Sequence, residues 1–114
     1  MRSIRIVKIV GAHIDTVFPA GTDCKVHRDG DVYSAPGISD DAAGLASMLQ
    51  VIRCLNENNI ETVGDIVFVG TLGEEGNGDL RGCKALFKEK NDYDGMIAID
   101  SANVHRILRG AAKL

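Results

Sequence analysis

The sequence predicts an α/β domain with a mainly parallel sheet flanked by helices. Three observations predict it. Three short runs rich in Ile and Val, residues 4–10, 64–72 and 95–99, read as buried strands. Segments of helical period lie between the later runs, and strands alternating with helices lead to parallel pairing. Each of the three runs ends in acidic or His residues: His13 and Asp15, Glu74 and Glu75, and Asp100. In open α/β sheets, sites form at the carboxyl ends of the strands.

Taken in order, Ile4 to Val10 is the first strand, closed by Gly11. Phe18 to Thr22 is loop. Lys25–Arg28 and Val32–Ser34 flank Asp29-Gly30, a hairpin turn signal. Ala35-Pro36-Gly37-Ile38-Ser39-Asp40-Asp41 leads into a helix that runs to about Asn58. Its apolar positions Leu45, Met48, Leu49, Ile52 and Leu55 follow the spacing of a core-facing stripe. The Asp40–Asp41 pair stands at its N-terminus, where carboxylates accept backbone N–H groups and meet a favourable macrodipole. Gly64 to Leu72 is the second strand, Gly73 to Asp79 a loop at its end. Leu80 to Lys88 is a short helix with Cys83, Leu86 and Phe87 inward. Gly95 to Ile99 is the third strand, ending in Asp100.

Composition narrows the function classes. The 114 residues amount to one domain or part of one, with 45% hydrophobic residues to form a core. A net charge of −3, no basic stripe, two Tyr and three Phe give no footing for nucleic-acid binding. No apolar run approaches the roughly 20 residues of a membrane span. Lys8 interrupts the N-terminal apolar run and no small-residue cleavage site follows, so that run reads as a strand and not as a signal peptide. Cys24, Cys54 and Cys83 are odd in number and form no Cys-x-x-Cys pair, which fits reduced thiols in a cytoplasmic protein.

Each acidic cluster has an ordinary structural reading: a helix cap, a solvated glutamate pair, a turn. Their joint placement at one sheet edge does not. One imidazole and several carboxylates without a thiolate suit Zn²⁺ or another divalent metal in a hydrolytic site. His13 is the nitrogen donor. In an extended His-x-Asp the two side chains share a face, so Asp15 can take the second imidazole N–H. Asp40 can bridge two metals, one oxygen to each. Of Glu74 and Glu75, one can hold a metal while the other serves as a base.

Four motifs in this order, Gly11-Ala12-His13-Ile14-Asp15-Thr16, Gly37-Ile38-Ser39-Asp40-Asp41-Ala42-Ala43-Gly44, Gly73-Glu74-Glu75-Gly76 and Ile97-Ala98-Ile99-Asp100, resemble the co-catalytic zinc peptidase family. That family includes peptidase T, glutamate carboxypeptidase, aminoacylase, acetylornithine deacetylase and succinyl-diaminopimelate desuccinylase. The resemblance runs from about residue 4 to about residue 110 and is nearest in texture to peptidase T-like members. It implies a zinc-exopeptidase-like catalytic domain. His13 and Asp100 are implied to bind one metal, Asp40 to bridge both across a cis Asp40–Asp41 peptide, and Glu75 to bind the second. Glu74 is implied as the general base and Asp15 as the group that orients His13. The implied cofactor is one or two Zn²⁺, with Co²⁺ or Mn²⁺ as alternatives. The implied substrate is a small peptide or an N-acyl amino acid.

The chain departs from the family in one respect. Members carry a last His ligand for the second metal near the C-terminus of a much longer chain, and a lid or dimerisation domain inserted after about the point where Arg106 to Ala111 stand here. His27 and His105 do not match that ligand. Residues 1–114 are therefore expected to be a partial catalytic domain, lacking the lid domain and the C-terminal catalytic segment, with hydrolysis incomplete in this chain alone. The alternative is a non-catalytic remnant or metal-binding interaction module of the same fold. A phosphatase-like two-metal enzyme is disfavoured, since no Gly-rich loop with Lys or Arg is present to cradle phosphate. A catalytic sheet without its later strands is expected to self-associate through its open edge.

Overall fold

Ile9 and Val7 are the most deeply buried side chains, and the strand that carries them is the middle of the sheet. The computed structural model describes residues 6–90 and 92–100. Within these, β1 (Val7–His13) lies between β4 (Asp65–Thr71) and β5 (Gly95–Ala98), in the order β4-β1-β5. Both pairings are parallel. A two-stranded antiparallel hairpin, β2 (His27–Asp29) and β3 (Val32–Ser34), stands apart from this sheet. Helix α1 (Ala42–Glu57) packs against β1, and α2 (Arg81–Glu89) connects β4 to β5. The α/β class and the parallel sheet flanked by helices are as the sequence predicts.

Strand β1 extends further than its sequence suggests. It does not close at Gly11 but continues to His13. The glycine is a packing residue: a Cβ there would lie 2.9 Å from Met96 Cε and 3.2 Å from Val69 Cγ2, so both flanking strands lean over it. Ile4 and Arg5, the expected start of the strand, fall outside the described residues, as do His105 and Arg106 to Ala111. The amino end of β1 is held by a two-way contact with Asp94. Val7 N–H donates to Asp94 Oδ2 at 2.7 Å, and Asp94 N–H donates to the Val7 carbonyl at 2.8 Å.

The other two strands are less buried than expected. Strand β4 is mostly half-buried and β5 mostly exposed, with Ile97 64% exposed. Their place in the strand order explains this: among the described residues each has a neighbour on one side only, whereas β1 is flanked on both. The hairpin turn is also shifted by one residue. Asp29 pairs with Val32, so Gly30-Asp31 are the central residues, with Gly30 at φ 58° as such two-residue turns require.

Helix α1 buries Gly44 and Met48 and half-buries Leu45, Ile52 and Leu55. Leu49, expected in that stripe, is 59% exposed. Gly44 brings the helix backbone close to the Asp41 side chain, and the inward line runs through Gly44, Met48 and Ile52, which leaves Leu49 on the flank. In α2, Cys83, Leu86 and Phe87 are half-buried as expected. Phe87 meets Tyr93 edge-to-face, with centroids 5.7 Å apart and ring planes at 89°, where the chain turns into β5. Cys24, Cys54 and Cys83 are free thiols. Among the described residues, no helix is long and apolar enough to cross a membrane.

Candidate metal centre

The parallel register assembles the site. His13 is the last residue of β1 and pairs with Thr71, so the loop after β4 begins beside it. Gly11 pairs with Ala98, and Ile99 N–H donates to the Gly11 carbonyl at 2.8 Å. Continuing residue for residue, Asp100 arrives level with His13. Three strands running the same way deliver their end residues to one edge, and the loop before α1 brings Asp40 and Asp41 to it.

The His13 side chain is 2% exposed. Its Nδ1 lies 2.9 Å from the Asp15 carbonyl oxygen and its Nε2 lies 2.9 Å from Asp40 Oδ1. Both partners only accept hydrogen bonds, so the ring sits between two acceptors. Burial pushes the imidazole pKa down, but the Asp15 carbonyl, the Asp40 carboxylate and the nearby charges of Asp41 and Glu74 outweigh it and raise the pKa above its ordinary value. The Nδ1 proton goes to the carbonyl, and Nε2 is the atom that faces the carboxylates.

Two groupings form around that atom. Donor atoms of His13, Asp40 and Asp100 lie within 4.8 Å of one another, and so do those of His13, Glu74 and Glu75. Glu74 Oε2 is 3.8 Å from Nε2. Partial burial, then the carboxylates of Asp40 and Glu74, push the Glu75 pKa up. The sequence-derived residues are thus gathered at one place. His13, Asp40 and Asp100, which the resemblance implies for the first metal, stand close together. Glu75 groups with Glu74 and His13, and it senses Asp40 electrostatically.

Two side chains behave differently from their sequence reading. The Asp40–Asp41 peptide is cis, as the resemblance implies, but Asp41 makes no side-chain capping bond to α1. Its carboxylate is buried and turned toward β1, where Oδ2 accepts the His13 N–H at 3.1 Å. Among the described residues Oδ1 has no hydrogen-bond partner, and burial raises the Asp41 pKa. The helix start is satisfied by backbone instead: Leu45 N–H donates to the Asp41 carbonyl at 3.0 Å and Ala42 N–H to the Gly37 carbonyl at 3.2 Å. Asp15 meets the imidazole with its carbonyl, while its carboxylate stands 3.9 Å from Nδ1 and accepts bonds from the loop after β4. Sequence reading missed the Asp41–His13 tie, because nothing local indicates that residues 28 positions apart meet. An open cleft of about 450 Å³ adjoins Glu75, with Thr16, Asn77 and Arg81 in its wall.

The donor set fits a divalent cation. It offers one imidazole nitrogen with its proton directed away, several carboxylates, and no thiolate. Carboxylate oxygens gathered within 4.8 Å of one imidazole nitrogen are relieved by a positive charge.

The profile of peptidase family M20/M25/M40 matches residues 9–107. The chain is also similar to the uncharacterized protein YqjE of Bacillus subtilis strain 168, at 39% identity over 93 residues. That match covers 79% of this chain and 24% of the relative, so the chain spans about a quarter of the length of the curated protein it matches.

Proposed function

Since the chain belongs to peptidase family M20/M25/M40, we propose that it serves metal-dependent hydrolysis of a peptide or N-acyl amide bond, as part of the family's catalytic domain. The observation that carries this reading is the buried His13, whose Nε2 faces Asp40, Glu74 and Asp100 while its other nitrogen is held by a carbonyl. His13, Asp40 and Asp100 would hold one Zn²⁺, with Co²⁺ or Mn²⁺ as substitutes. Asp40 and Glu75 are the family-matched contribution to a second. A cation there supplies polarisation of the scissile carbonyl and a lowered pKa for a water.

The chain's own residues supply the rest. Glu74 is 38% exposed at the rim and is free to reach a substrate-side water. It takes the water's proton and passes it to the leaving amine. The Asp15 carbonyl holds the His13 tautomer. Asp41 anchors the end of β1 through the His13 N–H, which keeps the ring in place. The substrate class is a small peptide or an N-acyl amino acid. We also propose that the chain self-associates, and that its setting is cytoplasmic; three free cysteines support the latter.

Zinc reconstitution of the purified 114-residue chain tests the reading. About one Zn²⁺ is expected to bind strongly, with negligible peptidase activity, because the second position has only Asp40 and Glu75 from the family-matched set. Asp40→Ala is expected to abolish the binding. Absence of bound zinc, with Asp40→Ala leaving stability unchanged, would favour a non-catalytic remnant. Robust hydrolysis of small peptides, lost in Glu74→Ala, would overturn the claim that this chain is inactive alone. A cytosolic enzyme fraction free of this protein would remove the compartment reading.

A further inference from the structure

Asp15 does one thing with its backbone and another with its side chain. The carbonyl oxygen sits 2.9 Å from His13 Nδ1. The carboxylate is 3.9 Å from that nitrogen, outside hydrogen-bond reach. It is engaged instead by three consecutive amides. Gly73 and Glu74 N–H donate to Oδ1 at 2.9 and 3.3 Å, and Glu75 N–H donates to Oδ2 at 3.1 Å. Successive N–H groups converging on one anion form a nest, and Gly73 enters it at φ 78°. Bonds to an ionised acceptor are about twice as strong as neutral ones.

The loop that receives these bonds brings two adjacent glutamates to the His13 imidazole, which Asp40 also meets. Its own bonds, Gly78 N–H to the Glu75 carbonyl at 3.0 Å and Leu80 N–H to the Gly73 carbonyl at 2.7 Å, fold the loop on itself. They do not tie it to β1. The Asp15 carboxylate does, across 58 to 60 residues of sequence.

We propose that the Asp15 side chain is a positioning group for the Glu74–Glu75 loop, so that one residue, through carbonyl and carboxylate, sets the distance between His13 and both glutamates. The functional meaning of this rests on the metal-site reading above. The contact itself does not.

Amide exchange on the ¹⁵N-labelled, metal-free chain tests the contact. In the native chain, the Gly73 and Glu75 amides are expected to exchange at least about tenfold more slowly than the exposed Asn77 amide. In Asp15→Asn, which replaces one acceptor oxygen by an NH₂ donor, exchange at Gly73 to Glu75 is expected to rise about tenfold or more. Native amides that exchange as fast as Asn77 would overturn the proposal without any variant, so a poorly folding Asp15→Asn does not protect it. An undisturbed loop in folded Asp15→Asn would overturn it as well. Titration with Co²⁺ alone, followed by visible absorption, tests the functional half: Asp15→Asn is expected to bind about 10- to 100-fold more weakly. Unchanged affinity overturns that half. A native chain that binds no Co²⁺ overturns the metal reading itself, and the exchange data then decide the contact separately.

Discussion

Gly44 has no side chain because Asp41 occupies the space one would take. A Cβ built there would stand 2.0 Å from Asp41 Oδ1 and 2.6 Å from its Cγ. Asp41 cannot move aside freely, since it is buried and its Oδ2 holds the His13 N–H. Overpacking of this kind costs about 1–3 kcal/mol. Ala is favoured over Gly inside a helix by about 1 kcal/mol, so the clash is the larger effect. Gly44→Ala is expected to lower the thermal midpoint and to weaken zinc binding, since the displaced carboxylate disturbs the His13 backbone. A midpoint equal to or above that of the native chain would show that Asp41 does not fix this position. Gly11 offers a contrast within the same sheet: its nearest neighbour is the flexible end of Met96, which can give way, so Gly11→Ala belongs at the mild end. Neither distinction is legible from the letter G in the sequence. Both depend on which distant side chain leans over the glycine.

The elements were largely legible from period and punctuation. Helix α1 starts and stops within a residue or so of its expected bounds, because the Pro-Gly loop and the polar Asn56 to Asn59 exit mark it locally. The strand runs were legible too, but their burial was not. An Ile- and Val-rich run reads the same whether it lies at the centre or the border of a sheet, and only the order β4-β1-β5 decides which strand is flanked on both sides. Strand β5 is the consequence: Ile97 is 64% exposed on an outer strand, and Leu49 of α1 is 59% exposed. Exposed apolar side chains on an outer strand favour edge-to-edge pairing, which a Lys on the edge suppresses. The 114-residue chain is expected to scatter light as a species heavier than monomer at high concentration, and Ile97→Lys is expected to shift it toward monomer. A monodisperse native monomer at high concentration contradicts this.

For the molecule as a whole, pH and metal act on the same cluster in opposite directions. His13 has a raised pKa in the folded chain, so its protonated form is the one that the fold stabilises. That contribution is fully present below the ordinary His value of about 6.5 and is lost as pH rises through the folded value. Asp41 adds in the same sense at lower pH: its pKa is raised by burial, so its ionisation in the fold works against stability. The metal-free chain is therefore expected to lose thermal stability as pH rises above about 6.5, and His13→Gln to remove that part of the slope. Zinc reverses the trend, because its ligands must be deprotonated. The gain in midpoint on adding zinc is expected to grow from pH 6 to pH 8, read from parallel melts. A gain that shrinks over this range argues against His13 and the carboxylates as ligands.

By itself, the sequence determined the α/β alternation, the helix bounds, and the ordered motifs around His13, Asp40, Glu74, Glu75 and Asp100. Those are local properties: period, turn residues, and residue types at fixed spacing. Tertiary structure alone decided which groups touch. The parallel register sets His13 level with Thr71 and leads β5 to Asp100, and neither pairing is written in local sequence. It also assigned the carboxylates their partners, Asp41 to the His13 amide and Asp15 to the amides of Gly73 to Glu75. A buried carboxylate takes whichever N–H groups the fold brings within about 3 Å, and those come from strands and loops far away in the chain.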